Sequence, residues 1–181
     1  VRAGLAGIGV GAGDRVAVIA NNRVEWAALA YATYGLGAVY VPMYEAQQPD
    51  EWRFILSDCG ARVVFVSNDI IAKVLAEFRP SLPSVEHLVT LASKVGSADS
   101  TYEELRDKGR HTAVSVVAAE ANTPATFLYT SGTTGQPKGV ILSHANIALN
   151  VSAVHEVFPM APEDRSLSFL PWAHTFGQTV E

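Results

Sequence analysis

Three short β-branched runs constrain this chain most: Arg15–Ala20 (RVAVIA), Ala38–Pro42 (AVYVP) and Arg62–Ser67 (RVVFVS). Each is apolar at consecutive positions rather than alternate ones, as strands covered on both faces are. The intervening segments have helix length and carry helix punctuation. Asn22, three residues ahead of Glu25, is a cap candidate for a helix through about Tyr34, which Gly35 and Gly37 close. Pro49 opens a helix over Asp50–Asp58, and Gly60 closes it. Strand, helix, strand, helix, strand predicts an α/β fold with a parallel sheet and right-handed crossovers.

The pattern continues downstream. A helix is predicted over about Ile70–Phe78, ending before Pro80, and a strand over Val85–Leu91. Thr101 and Glu104 have capping-box spacing at the start of a short helix. Gly109–Thr123 lacks periodicity and reads as a connector. Thr126–Thr130 reads as a strand, Ser131–Pro137 as a mobile loop and Gly139–Leu142 as a second strand. Ser143 is placed to cap a helix from His144 to about Val157. Arg165–Leu170 is predicted as a further strand of the same sheet, and Pro171–Gly177 as a loop leading into another helix.

Composition narrows the function classes. Hydrophobic residues make up 49% of 181, enough for a packed core. A formal net charge of −5 argues against a nucleic-acid partner, which needs a basic face. The single cysteine, Cys59, allows no disulfide within the chain and reads as a small packing residue; a reducing, cytoplasmic setting is expected. The uncharged stretch between Glu25 and Glu45 contains Thr33, Gly35, Gly37 and Pro42, so it reads as a buried helix, a turn and a strand. No transmembrane segment is expected, peripheral membrane contact stays open, and oligomeric state is not legible. His87, His111 and His155 have no metal-ligand spacing, and His144 reads as local structure at a helix start. A chain that opens at Val1 and stops at Glu181 within a motif is expected to be a piece of a longer protein.

The residues Tyr129-Thr130-Ser131-Gly132-Thr133-Thr134-Gly135-Gln136-Pro137-Lys138-Gly139-Val140 carry the chemistry. Thr130, Ser131, Thr133 and Thr134 offer hydroxyl donors, Gly132, Gly135 and Gly139 allow close backbone approach, and Lys138 brings one positive charge. Held between strands, such a loop suits a triphosphate. The spacing is not that of a Walker A motif, because Lys138 follows proline and a strand comes next. No Gly-x-Ser-x-Gly elbow surrounds Ser131, so a hydrolase nucleophile is not indicated. The plain alternative is a polar surface loop.

Tyr129–Val140 resembles the signature of the adenylate-forming superfamily, which includes acyl-CoA synthetases, adenylation domains and firefly luciferase. Leu5–Ile19, Gly35–Pro42, Ile55–Val66 and Ser168–Glu181 resemble other parts of that family's N-terminal domain, in order. The resemblance implies a layered parallel-sheet α/β fold with the phosphate loop between two strands. It implies that residues 1–181 are part of the large N-terminal domain, lacking its start, its end and the C-terminal lid domain. The adenine- and ribose-binding residues, a magnesium-binding glutamate and a catalytic lysine would then lie outside this chain.

The implied reaction joins a carboxylate to ATP, releases pyrophosphate and passes the acyl group to coenzyme A. Pro171–Glu181 (PWAHTFGQTVE) resembles long-chain fatty acyl-CoA synthetases more than short-chain ones. By resemblance, Thr130, Ser131, Gly132, Thr133, Thr134, Gly135 and Lys138 bind ATP, and Thr130 contributes to Mg²⁺. His174 is the catalytic candidate, and Trp172, His174, Phe176 and Gly177 are the candidates for contact with the acid. The isolated chain is expected to be inactive. Rival readings are a non-catalytic nucleotide-binding module, and a luciferase-like or aryl- or peptide-adenylating relative.

Overall fold

A computed structural model describes residues 1–131, 136–159, 161–165 and 167–174. The β-branched runs become β1 (Arg15–Ile19), β2 (Val39–Met43) and β3 (Val63–Val66), followed by β4 (His87–Thr90), β5 (Ser100–Thr101), β6 (Pro124–Ser131) and β7 (Pro137–Ser143). Among the described residues they form one sheet in the order β5-β4-β3-β1-β2-β6-β7. Neighbours are parallel except β6 and β7, which form an antiparallel hairpin.

Alternation along each central strand sorts the core into two layers. Val16, Val18, Tyr40, Val63 and Phe65 face α1 (Arg2–Gly7), α2 (Val24–Tyr34) and α5 (Tyr102–Lys108). Ala17, Ile19, Val41, Met43, Val64 and Val66 face α3 (Pro49–Cys59) and α4 (Asp69–Phe78). Both faces of the central strands are buried, which explains why the runs carry no polar alternation. Burying a side chain such as Phe65 or Ile19 contributes about 1.5–3 kcal/mol.

Helix punctuation works largely as the sequence indicates. Pro49 starts α3, and Glu51 accepts a hydrogen bond from the Gln48 backbone N–H at 2.9 Å. Gly60 ends α3 with φ of 61°, a left-handed conformation that glycine adopts without strain. Thr101 and Glu104 exchange bonds of 3.1 and 3.0 Å at the start of α5. Ser143 caps α6 (His144–Val157), accepting from the Asn146 N–H at 3.2 Å. Gly109–Thr123 holds no strand and no helix. The uncharged stretch resolves into α2, a glycine turn and β2, and no helix among the described residues is long and apolar enough to cross a membrane.

Two expectations are corrected. Asn22 does not cap α2: the helix begins at Val24 behind Arg23, which makes no side-chain cap bond. The Asn22 amide is committed elsewhere, to Leu170 and Trp172. Nor is Arg165–Leu170 a strand where it is described; Leu167 and Phe169 are exposed there. Its Leu170 end is held by a side chain instead of a strand: the Asn22 amide donates to the Leu170 carbonyl at 2.7 Å. The loop residues 132–135 and the helix expected after Gly177 lie outside the described residues.

Candidate functional site

The site is built on the β6–β7 hairpin. Thr130 stands opposite Lys138, and Ser131 opposite Pro137. Cross-strand partners share a face, so the two side chains leave the hairpin on the same side. Both side chains are exposed to solvent. Thr126, Leu128 and Thr130 lie on one side of β6 by alternation. Thr126 pairs with Tyr40 and donates its hydroxyl to the Tyr40 carbonyl at 2.7 Å, which fixes that side as the α2 layer.

The hairpin also overshoots the sheet. Thr126 is level with Tyr40, yet β2 ends at Met43 while β6 continues to Ser131. The excess is about two residues, or about 7 Å at a rise of about 3.3 Å per residue. Its tip thus projects beyond the C-terminal edge of the parallel strands, the edge where ligands collect in open α/β sheets.

The second candidate segment reaches the same edge by another route. Asn22 follows β1 closely; its amide donates to the Leu170 carbonyl at 2.7 Å and accepts from the Trp172 N–H at 2.8 Å. Trp172 packs edge-on against Trp26 with centroids 5.6 Å apart, and its indole N–H donates to the Ser168 hydroxyl at 2.9 Å. His174 is exposed beside buried Ala173, and its backbone N–H donates to the Pro171 carbonyl at 3.0 Å. Of the expected site residues, Thr130 and Lys138 are brought together, and Trp172 and His174 are anchored to the same edge of the sheet. Gly132, Thr133, Thr134, Gly135, Phe176 and Gly177 lie outside the described residues, as does the side chain of Ser131.

Sequence reasoning missed three residues. Asn22 was assigned to the wrong partner, because a cap and a tertiary clamp use the same side chain. His144 is more than a helix start: its ring packs edge-on against Tyr34 at 5.6 Å, and burial lowers its pKa from the usual histidine value. It lines an apolar cavity of about 460 Å³ between α2 and α6, with Trp26, Tyr34, Ile147, Val151 and Trp172. The spacing of His144, Ile147, Ala148 and Val151 along one helix face was the available signal. Tyr129, third, bonds to Asp58, far away in sequence.

Among the described residues no group of three or more His, Cys, Asp or Glu side chains could hold a metal ion. Mg²⁺ typically keeps waters and takes its protein contacts sparingly, with substrate phosphates supplying other oxygens. One exposed hydroxyl at Thr130, opposite Lys138 in the hairpin, fits that manner of binding. Cys59 is buried, and desolvation pushes its thiol up to about 12, so it is a packing residue and no nucleophile.

The mostly parallel sheet with its projecting hairpin is an α/β domain, and the family model for AMP-binding enzymes matches residues 1–181. The chain belongs to that adenylate-forming family. It is 34% identical, over 98% of its own length, to the long-chain-fatty-acid–CoA ligase FadD15 of Mycobacterium bovis, and spans 30% of that protein. In structure it matches ATP-bound MatB from Rhodopseudomonas palustris with a TM-score of 0.81 at 30% identity, over 99% of this chain and 35% of the other. It also matches the anthranilate CoA ligase AuaEII in complex with anthranoyl-AMP, with a TM-score of 0.84 at 26% identity, over 98% of this chain and 34% of the other.

Proposed function

We propose that the protein carrying this chain activates a long-chain fatty acid with ATP, forming an acyl-adenylate and pyrophosphate, and then transfers the acyl group to coenzyme A. The observation that carries the reading is the Thr130–Lys138 pair on a hairpin that overshoots the C-terminal edge of the sheet. The chemistry explains why such a pair is needed. A carboxylate must approach a polyanion, and negative charge grows on the leaving phosphates as the bond to the α-phosphorus breaks. Lys138 and the hydroxyl of Thr130 supply a positive charge and a donor for that growing charge, fixed in advance by strand pairing. Mg²⁺, when bound among the phosphates with Thr130 as a contact, shields their charge.

His174 is assigned to orient the carboxylate and donate to charge developing at the α-phosphate. Its place beside Trp172, which Asn22 ties to the same sheet edge, supports this role. The acid's apolar portion is assigned to the side of Trp172 facing the cavity between α2 and α6. At about 460 Å³ that cavity lies within the ordinary range of ligand pockets, about 300–1,000 Å³. The long-chain assignment is also supported by the similarity to FadD15.

The test is thioester formation by the full-length protein with ATP, Mg²⁺ and CoA across a panel of acids. Palmitate is expected to exceed acetate and benzoate in kcat/KM by at least about tenfold, since each buried methylene is worth about 0.8 kcal/mol. Preference for benzoate or anthranilate would replace the fatty-acid assignment with an aryl one.

A further inference from the structure

Tyr129 turns away from Thr130 and Lys138, and its surroundings ask for an explanation. Its ring crosses the hairpin over Gly139, its direct partner in the register. A Cβ on Gly139 would lie 3.0 Å from the Tyr129 Cζ and 3.2 Å from its Oη, so a side chain there would crowd the ring. The ring leans on the core layer formed with α3, and its hydroxyl donates to Asp58 Oδ2 at 2.5 Å. Asp58 occupies the last turn of α3, where the helix dipole disfavours a carboxylate, and that turn contains no basic residue. Helix stability therefore gives no reason for an acid at this position, whereas the hairpin does. Burial, and then the bond to Asp58, raise the Tyr129 pKa far above the ordinary tyrosine value, so the hydroxyl keeps the proton it donates.

We propose that Asp58 and Tyr129 form a strut between α3 and the β6–β7 hairpin that holds Thr130 and Lys138 in position for the nucleotide. The inference rests on the phosphate-binding reading of that pair. Successive strand residues point to opposite faces, so fixing Tyr129 on the α3 side fixes the direction of Thr130 on the other. Gly139 and Lys138 stand in the same relation on the returning strand. A single tether thus sets the aim of both groups, although neither Asp58 nor Tyr129 touches the nucleotide. They are positioning residues.

The experiment compares MgATP affinity, acid KM and melting temperature in the full-length protein for Tyr129→Phe, Asp58→Ala, Asp58→Asn and the double variant Asp58→Ala/Tyr129→Phe. Tyr129→Phe and Asp58→Ala are each expected to weaken MgATP binding about fivefold, the scale of one net hydrogen bond, with acid KM unchanged. The double variant should bind no more weakly than either single one, because both remove the same contact. Asp58→Asn, which keeps an acceptor oxygen on the same stem, should recover to within about twofold of the parent. Lowered melting temperatures with unaltered MgATP affinity would overturn the proposal and leave the pair a stabilising contact only. If the parent binds no MgATP, the phosphate reading itself fails. Hydrogen exchange of the β6 and β7 amides then decides the strut: Asp58→Ala should speed it about fivefold, and equal rates refute the tether.

Discussion

Replacing Asn22 with alanine removes both bonds that hold the Leu170–Trp172 backbone to the start of α2, one of 2.7 Å and one of 2.8 Å. Each is worth a net ~0.5–1.5 kcal/mol, so the docked segment loses about 1–3 kcal/mol. Contact between Trp172 and Trp26 remains and retains about 0.5–1.5 kcal/mol. Docking is therefore weakened rather than abolished, with the docked-to-undocked ratio falling about 30-fold for a loss of about 2 kcal/mol. Iodide quenching reports this directly, because Trp26 and Trp52 are each 5% exposed while Trp172 is only partly buried. Asn22→Ala should raise the iodide-accessible fraction and slow adenylation about tenfold, while helix content and MgATP affinity stay at parent values. Asn22→Asp keeps only the acceptor and should fall between the two. Unchanged quenching with a loss of helix would refute the clamp and restore Asn22 as a cap, whose removal costs about 0.5–2 kcal/mol of stability.

Lys138→Ala should weaken adenylation by about tenfold or more, and Gln136→Ala by less than about twofold, since only the former removes a charge aimed at phosphate; equal effects in pyrophosphate exchange would contradict this assignment. His174→Ala should lower the rate of acyl-AMP formation about 10²-fold with MgATP affinity nearly intact, the mark of a group acting in the transition state; rapid quench is the assay, and a parent rate would remove His174 from the chemistry. Gly60→Ala should destabilise the fold by about 1–3 kcal/mol in denaturant titration, because φ is 61° and the new Cβ would lie 2.8 Å from the Arg15 guanidinium. Cys59 should resist Ellman's reagent at pH 8 until the chain unfolds. Its thiol rises from 9.0 to about 12 on folding, so stability from this group is complete below pH 9 and is lost as pH rises toward 12; rapid labelling of the native protein would show the burial to be wrong.

Local sequence signals revealed those parts of the fold that local physics decides. Uninterrupted β-branched runs revealed strands covered on both faces, and Pro49, Gly60, Thr101 and Ser143 punctuated helices as the structure has them. What stayed hidden is tertiary. Asn22 satisfies the sequence rule for a cap, but its amide reaches a segment well over a hundred residues away, which no local pattern encodes. Arg165–Leu170 has strand-like composition, yet its Leu170 end is held by the Asn22 amide, a contact from a distant part of the chain that composition does not encode. The sequence singles out Thr130 and Lys138 by residue type as candidates for phosphate contact; their facing register emerged only with the hairpin. Asp58, in turn, sits in a helix turn where it looks arbitrary until Tyr129 is seen beside it.

The central claim concerns which bond of ATP is cleaved and where the nucleotide goes. Full-length protein, MgATP and palmitate, incubated without CoA and quenched in acid, should contain palmitoyl-AMP and pyrophosphate in equal amounts. Adding CoA should convert the adenylate to palmitoyl-CoA and AMP. Formation of ADP and inorganic phosphate, or pyrophosphate release that does not depend on the acid, would contradict the account.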